Sequence, residues 1–232
     1  MSDAVLAATD VSAGYFGRPV VSGLNLEVHR GEVVALLGAN GAGKSTTILT
    51  LAGDLKPMSG TITFAGDMGQ SSLSHRARHG LALITDDRAV FPQLTALENL
   101  RVGRCDQALA MELFPELQPL LRRRAGLLSG GEQGMLTVAR ALARKPTVLL
   151  ADELSLGLAP LIVKRLHAAL RSAADELGVA CLIVEQHVSL ALQVADRAYV
   201  MNGGRVVLEG RASELLSRID ELERAYLTTA SA

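Results

Sequence analysis

GANGAGKST, Gly38 to Thr46, follows directly on the apolar run Val33, Val34, Ala35, Leu36, Leu37. It leads into Ser45 to Leu51, a stretch without glycine or proline. The apolar run reads as a buried strand and the stretch beyond it as a helix, so the glycines occupy a turn between strand end and helix start. Gly38 and Gly43, followed by Lys44 and Ser45, have the spacing of a P-loop. Glycines let backbone N–H groups turn inward and approach an anion without Cβ clashes, and the helix N-terminus adds unpaired N–H groups and a positive dipole end. The backbone from Gly38 through Ala39, Asn40, Gly41 and Ala42 to Gly43 would therefore cradle a polyphosphate. Lys44 would reach the β- and γ-phosphates, Ser45 would ligate Mg²⁺, and Thr46 would add a phosphate contact.

A chain of 232 residues suits one large α/β domain or two closely joined subdomains. Tryptophan is absent and aromatics make up only 3%, so the core must be assembled from Ala, Leu and Val. The formal net charge of −1 argues against a nucleic-acid binder, which needs a basic surplus to neutralise phosphates. Arg122 to Arg124, the longest basic cluster, reads as a solvated helix face. Cys105 and Cys181 are too far apart in sequence for a metal-type pair and fit reduced, structural thiols in the cytosol. No apolar run is long enough to span a membrane, and Met1 to Val11 lacks a basic leader region, so a soluble chain without a signal peptide is expected.

Val5 to Val11 and Val20 to Val28 predict two antiparallel strands, with Gly14, Gly17 and Pro19 in a loop between them. Tyr15 and Phe16 fall in that loop; Tyr15 would either pack or stack on a purine base. Gly60 to Phe64 returns as a strand, Ser71 to Gly80 reads as a polar surface helix, and Leu81 to Ile84 as a short buried strand. Thr85, Asp86, Asp87 and Arg88 at its end are either ligand-facing or a solvated turn. Pro92 to Leu127 is rich in Leu, Ala and Glu and is interrupted by Pro115 and Pro119, which predicts a small inserted helical subdomain. It closes on LLSGGEQ, where Ser129 is a helix N-cap candidate and Gly130 and Gly131 offer a second anion-binding helix start. Val148 to Ala151 predicts a buried strand ending in Asp152 and Glu153. Adjacent carboxylates repel, so the pair implies a cation: Asp152 for Mg²⁺ and Glu153 for the attacking water. Leu161 to Leu177 reads as a helix and Val179 to Val184 as a strand tipped by Glu185, Gln186 and His187. Ala198 to Leu208 reads as a hairpin turning at Asn202-Gly203-Gly204, and Ala212 to Leu227 as one amphipathic helix.

With P-loop, LSGGEQ, LLADE and VEQH in that order, the chain resembles the ATP-binding subunits of ABC transporters over nearly its whole length. FPQLTALENL, SLGLAP, VEQHVSLALQVADRAYV and GGRVVLEG are most similar to the subunits of branched-chain amino acid importers. The resemblance implies an α/β P-loop NTPase cassette: a RecA-like core with an N-terminal antiparallel β subdomain over 1–91 and 134–232, and a helical subdomain over 92–133 ending in the signature motif. It implies a head-to-tail homodimer, or a heterodimer with a related subunit, holding two ATP molecules. Ser129, Gly130 and Gly131 of one subunit would meet the γ-phosphate held by Lys44 of the other, and Tyr15 would stack on adenine. It further implies membrane permease subunits, a solute-binding protein, and a peripheral location on the cytoplasmic face of the cell membrane.

Several positions depart from the family's pattern. Asp86 stands where Gln or Glu is usual as a metal and water contact, and Gln186 stands at the switch histidine, with His187 one residue later. Gln186 would hydrogen-bond a phosphate oxygen but, unlike histidine, cannot take up a proton or a charge at neutral pH. Leu154 replaces a common Pro and Ala159 the usual Asp. The leading expectation is an ATPase driving uptake of branched-chain amino acids or similar small solutes. The alternatives are a soluble ABC-type ATPase of translation or DNA maintenance, and a cassette that binds ATP but hydrolyses it weakly.

Overall fold

Every residue of the strand ahead of the glycine loop is buried, so the strand must lie inside a sheet covered on both faces. The computed structural model describes residues 4–66, 71–87, 89–185 and 187–222. The chain opens with β1 (Ala4–Tyr15) and β2 (Arg18–His29), followed by β3 (Val33–Gly38) and α1 (Lys44–Ala52). Next come β4 (Ser59–Phe64), α2 (Leu73–Arg78) and β5 (Leu81–Ile84). Short helices α3 (Ala96–Val102) and α4 (Gln107–Leu113), with 3₁₀ turns at Pro115–Leu120 and Ala125–Leu127, lead to α5 (Gly130–Leu142). Then β6 (Val148–Asp152), α6 (Pro160–Leu177), β7 (Ala180–Val184) and α7 (Val188–Val194) alternate. The chain continues through β8 (Arg197–Asn202), β9 (Arg205–Arg211), α8 (Ala212–Leu216) and α9 (Ile219–Leu222).

Among the described residues two sheets result, a three-stranded one in the order β2-β1-β4 and a six-stranded one in the order β5-β6-β7-β3-β8-β9. The first is antiparallel. The second is parallel from β5 to β8, with β9 added antiparallel at its edge. Side chains alternate across a strand, and the two cores divide accordingly. Val33, Ala35 and Leu37 join one cluster with Leu149, Ala151, Ile183 and the helices α5 and α6. Val34 and Leu36 join the other, with Leu150, Leu182, the antiparallel sheet and α1. The parallel sheet is thus the middle layer, with α5 and α6 on one side and the antiparallel sheet and α1 on the other.

Arg197 on β8 locks the two sheets together. Its guanidinium donates to both carboxylate oxygens of Glu32, at 2.6 and 3.2 Å, and to the Glu27 carbonyl on β2. The Tyr199 hydroxyl accepts from Arg197 and from the Glu27 N–H. Charge-assisted, two-pronged bonds of this kind fix orientation as well as distance.

Two expectations need correction, and a third, the polar surface helix, holds except at Arg76. Gly14 and Pro19 do not lie in a loop: they pair with each other inside β1 and β2, and Tyr15 pairs with Arg18. Only Phe16 and Gly17 turn, both with positive φ (53° and 74°), as a two-residue hairpin matching strand twist requires. Pro19 is tolerated because β2 is an edge strand. In the polar helix α2, Arg76 is buried at 2% exposure, donating to Ser71 Oγ and the Leu51 carbonyl, so it ties α2 to the end of α1. The C-terminal segment is two short helices rather than one, with the Ser217 hydroxyl bonded to the Glu214 carbonyl at the break; Glu223 to Leu227 lie outside the described residues. Among the described residues no helix is long and apolar enough to cross a membrane.

Arg197→Ala would leave the mostly buried Glu32 carboxylate without its partner. The expected loss is about 1–3 kcal/mol, read from the urea unfolding midpoint, while Val207→Ala on exposed β9 stays within about 0.5 kcal/mol.

Candidate functional site

The carboxyl ends of β3, β6 and β7 lie side by side, since β7 pairs with both neighbours in parallel. Asp152 pairs across from Val184, and Leu36 from the same Val184 on the other side, so the strand tips finish level. Everything after those tips is projected into one region, which is where open α/β sheets place ligands.

At the tip of β3 the glycine turn has little steric freedom. A Cβ on Gly38 would come within 2.5 Å of the Met201 carbonyl oxygen, and Gly43, at φ 100°, is the left-handed N-cap of α1. The turn opens onto a cavity of about 230 Å³ whose wall includes Asn40, Gly41, Gly43, Lys44, Ser45, Thr46 and Glu153. Val20 on β2 completes it; the sequence reading missed this residue, whose only signal was its place beside the Tyr15 turn. Lys44 is 5% exposed, and its Nζ donates to the carbonyls of Gly38 at 2.9 Å and Ala39 at 3.1 Å. Burial lowers its pKa, against the opposing pull of Glu153 and Asp152.

Asp152 ends β6 and is 8% exposed. Burial holds its pKa above the usual carboxylate value; a hydrogen bond from Ser45 and the charge of Lys44 oppose the rise, while Glu153 and Asp86 reinforce it. Its Oδ1 is buried with no hydrogen-bond partner among the described residues. A buried carboxylate oxygen left open beside a serine hydroxyl and a glycine anion cradle fits a hard divalent cation, whose remaining ligands would be phosphate and water. No group of three His, Cys, Asp or Glu suited to holding a metal occurs among the described residues. Glu153 follows at φ 50°, a left-handed conformation costing about 1–3 kcal/mol for a non-glycine residue. Its N–H donates to the Val184 carbonyl at 2.9 Å, which clamps the turn to β7.

The remaining candidates lie farther out. Asp86 is exposed just past β5, near enough for its charge to act on Asp152. Tyr15 is 43% exposed at the end of β1. Gln186 lies outside the described residues; His187 caps α7 with an exposed side chain and no side-chain capping bond. Ser129 is the N-cap of α5 in a complete capping box with Glu132: its Oγ accepts from the Glu132 N–H, and Glu132 accepts from the Ser129 N–H at 2.6 Å. Ser129, Gly130 and Gly131 contribute nothing to the wall of the glycine-loop cavity.

A protein-family model described as "ABC transporter" matches residues 21–155. The high-affinity branched-chain amino acid transport ATP-binding protein BraG of Pseudomonas aeruginosa is 40% identical over 230 residues, covering 94% of this chain and 97% of that protein. The probable branched-chain amino acid transport ATP-binding protein LivF of Archaeoglobus fulgidus is 34% identical, covering 91% and 94% respectively. A solved ATP-binding cassette of an ABC transporter superposes with a TM-score of 0.85 over 96% of this chain and 97% of that one; at 24% identity this is a likeness of fold.

Because the Asp152 pKa is raised by folding, the folded state binds more protons than the unfolded chain between the ordinary and the raised value. Stability therefore falls as pH rises through that window, and at neutral pH the ionised carboxylate opposes folding. In metal-free buffer Asp152→Asn is expected to raise the thermal midpoint at neutral pH. The gain should shrink as the pH is lowered toward the ordinary carboxylate range, as read by calorimetry.

Proposed function

The chain belongs to the ABC transporter family, as an ATP-binding subunit, and from that premise we propose how its residues divide the work of coupling ATP hydrolysis to uptake of branched-chain amino acids or similar small solutes. The observation that carries the reading is the open, buried Oδ1 of Asp152 near Ser45 and Lys44, two residues that line the glycine-loop cavity.

Backbone N–H groups from Gly38 to Gly43 and of Lys44, Ser45 and Thr46 hold the phosphates of ATP, and Lys44 Nζ exchanges its carbonyl partners for β- and γ-oxygens. Ser45 and Asp152 would hold Mg²⁺, with Asp86 as a further candidate ligand. Once bound, the cation neutralises charge on the phosphates. Glu153 takes the proton of the attacking water, and Gln186 donates a hydrogen bond to the γ-phosphate. Tyr15, partly exposed at the end of β1, stacks on adenine.

The capped start of α5 gives the arrangement its dimeric logic. Ser129, Gly130 and Gly131 are exposed or partly exposed and stand apart from their own cavity, so a second copy or a related subunit facing head to tail brings them to the γ-phosphate. Residues 92–133 act as a helical subdomain that transmits closure to integral membrane permease subunits, with a solute-binding protein in the complete system. The protein works on the cytoplasmic face of the membrane. That both named relatives are transport proteins supports this reading over a soluble ATPase of translation or DNA maintenance.

Lys44→Ala is expected to weaken Mg·ATP binding by about 10–100-fold, the value of a charge-assisted contact, in a fluorescent-nucleotide titration. Glu153→Gln should retain ATP affinity while kcat drops by about 10²–10⁴-fold, and it should accumulate as an ATP-bound dimer in size-exclusion chromatography. Purification from native membranes in mild detergent should recover a polytopic permease; ribosomal or DNA-repair proteins in its place would remove the transport reading.

A further inference from the structure

Away from the nucleotide cavity, Ser155, His167 and Glu185 are sealed into the apolar body at 3%, 3% and 0% exposure. They come from three elements: the turn after β6, helix α6, and the residue that follows β7. The Ser155 hydroxyl donates to Glu185 Oε2, and Glu185 Oε1 lies 3.1 Å from His167 Nε2. A fully buried carboxylate is costly unless its oxygens are engaged, and here both are. Nothing in the nucleotide cavity explains why the chain keeps this carboxyl group inside.

The turn that Ser155 belongs to is the one that presents Glu153. Glu153 enters it in the left-handed conformation, the Leu156 N–H closes on the Glu153 carbonyl at 3.1 Å, and the Leu158 N–H closes on Ser155 at 3.0 Å. Glu153 is bonded through its own N–H to Val184, and Val184 directly precedes Glu185. The turn is therefore tied to the end of β7 twice, once by backbone at Val184 and once by side chain at Glu185. A well-packed apolar trio would hold the fold at least as well. Hydrogen bonds add direction, which an apolar contact does not.

We propose that Glu185 is a positioning residue for ATP hydrolysis: clamped by His167, it holds Ser155 and so keeps the strained turn in the shape that aims the Glu153 carboxylate at the attacking water. This rests on the assignment of Glu153 as the base. Glu185 itself touches neither nucleotide nor water and acts only through the turn.

The test uses the full chain, with Mg·ATP turnover followed by phosphate release and ATP affinity by a fluorescent analogue. Glu185→Gln can accept from one neighbour and donate to the other, and should keep at least about half the wild-type kcat. Glu185→Leu and Ser155→Ala should each lower kcat by about 10-fold or more while ATP affinity changes less than about 3-fold, the signature of misplacement rather than lost binding. Should Glu185→Leu fail to fold, the smaller Ser155→Ala change carries the same comparison. In a Glu153→Gln background Ser155→Ala should cost no further kcat, because both act through one group. Wild-type turnover of Ser155→Ala, a parallel loss of kcat and ATP affinity, or full additivity with Glu153→Gln overturns the positioning role. Wild-type turnover of Glu153→Gln alone is a separate result that removes the base assignment instead.

Discussion

The parallel ladder joining β6, β7 and β3 is the constraint on which the rest depends. Because the three strands run the same way with level tips, the glycine turn, the Asp152–Glu153 pair and Glu185 all emerge at one edge of the sheet. Parallel neighbours cannot be joined by hairpins and need crossovers, which here run through helices. Those crossovers put α5 and α6 on one face, while α1 covers the other with its N-terminus beside the loop. Alternation along the same strands then divides the apolar residues into two cores, and the second core packs the antiparallel sheet onto the parallel one, from which Val20 of β2 reaches the wall of the glycine-loop cavity.

The site built at that edge is locally unfavourable in several ways at once. Asp152 is buried with one oxygen open, Lys44 is buried against its own loop carbonyls, and Glu153 sits in a strained conformation. Each partly answers another: Lys44 favours the charge on Asp152, and the two acids favour the charge on Lys44. What remains is offset by the apolar layers above and below, whose central strands have essentially no exposure. Strain of this kind persists only where the surroundings over-determine it; the double tie of the Glu153 turn to β7 is such a surrounding.

Much of this was legible in residue order alone. The five apolar residues before Gly38, the four before Asp152 and the run Val179 to Val184 are buried strands, because a strand covered on both faces must be apolar at every position. Asn202-Gly203-Gly204 turns a hairpin for the reason its glycines suggest, positive φ at Gly203 and Gly204. Misreadings arose where local signals are ambiguous. Glycine and proline near Tyr15 look like a loop, yet Pro19 is tolerated on the edge strand β2, and Gly14 sits in β1 where a Cβ would run into the Arg18 carbonyl. A basic, polar helix looks solvated, yet Arg76 finds carbonyl and hydroxyl partners inside.

Sequence by itself determined the elements, the glycine loop and the acidic strand tip, since periodicity, turn chemistry and motif spacing act over a few neighbouring residues. Tertiary structure alone decided which groups meet. The open oxygen of Asp152, the Arg197 clamp from β8 onto Glu32 and Glu27, and the Ser155–Glu185–His167 cluster join positions 12 to 170 residues apart or depend on what surrounds one atom. Burial and hydrogen-bond partnership are properties of packed surfaces, and a linear pattern does not encode which distant side chain will close over a given carboxylate.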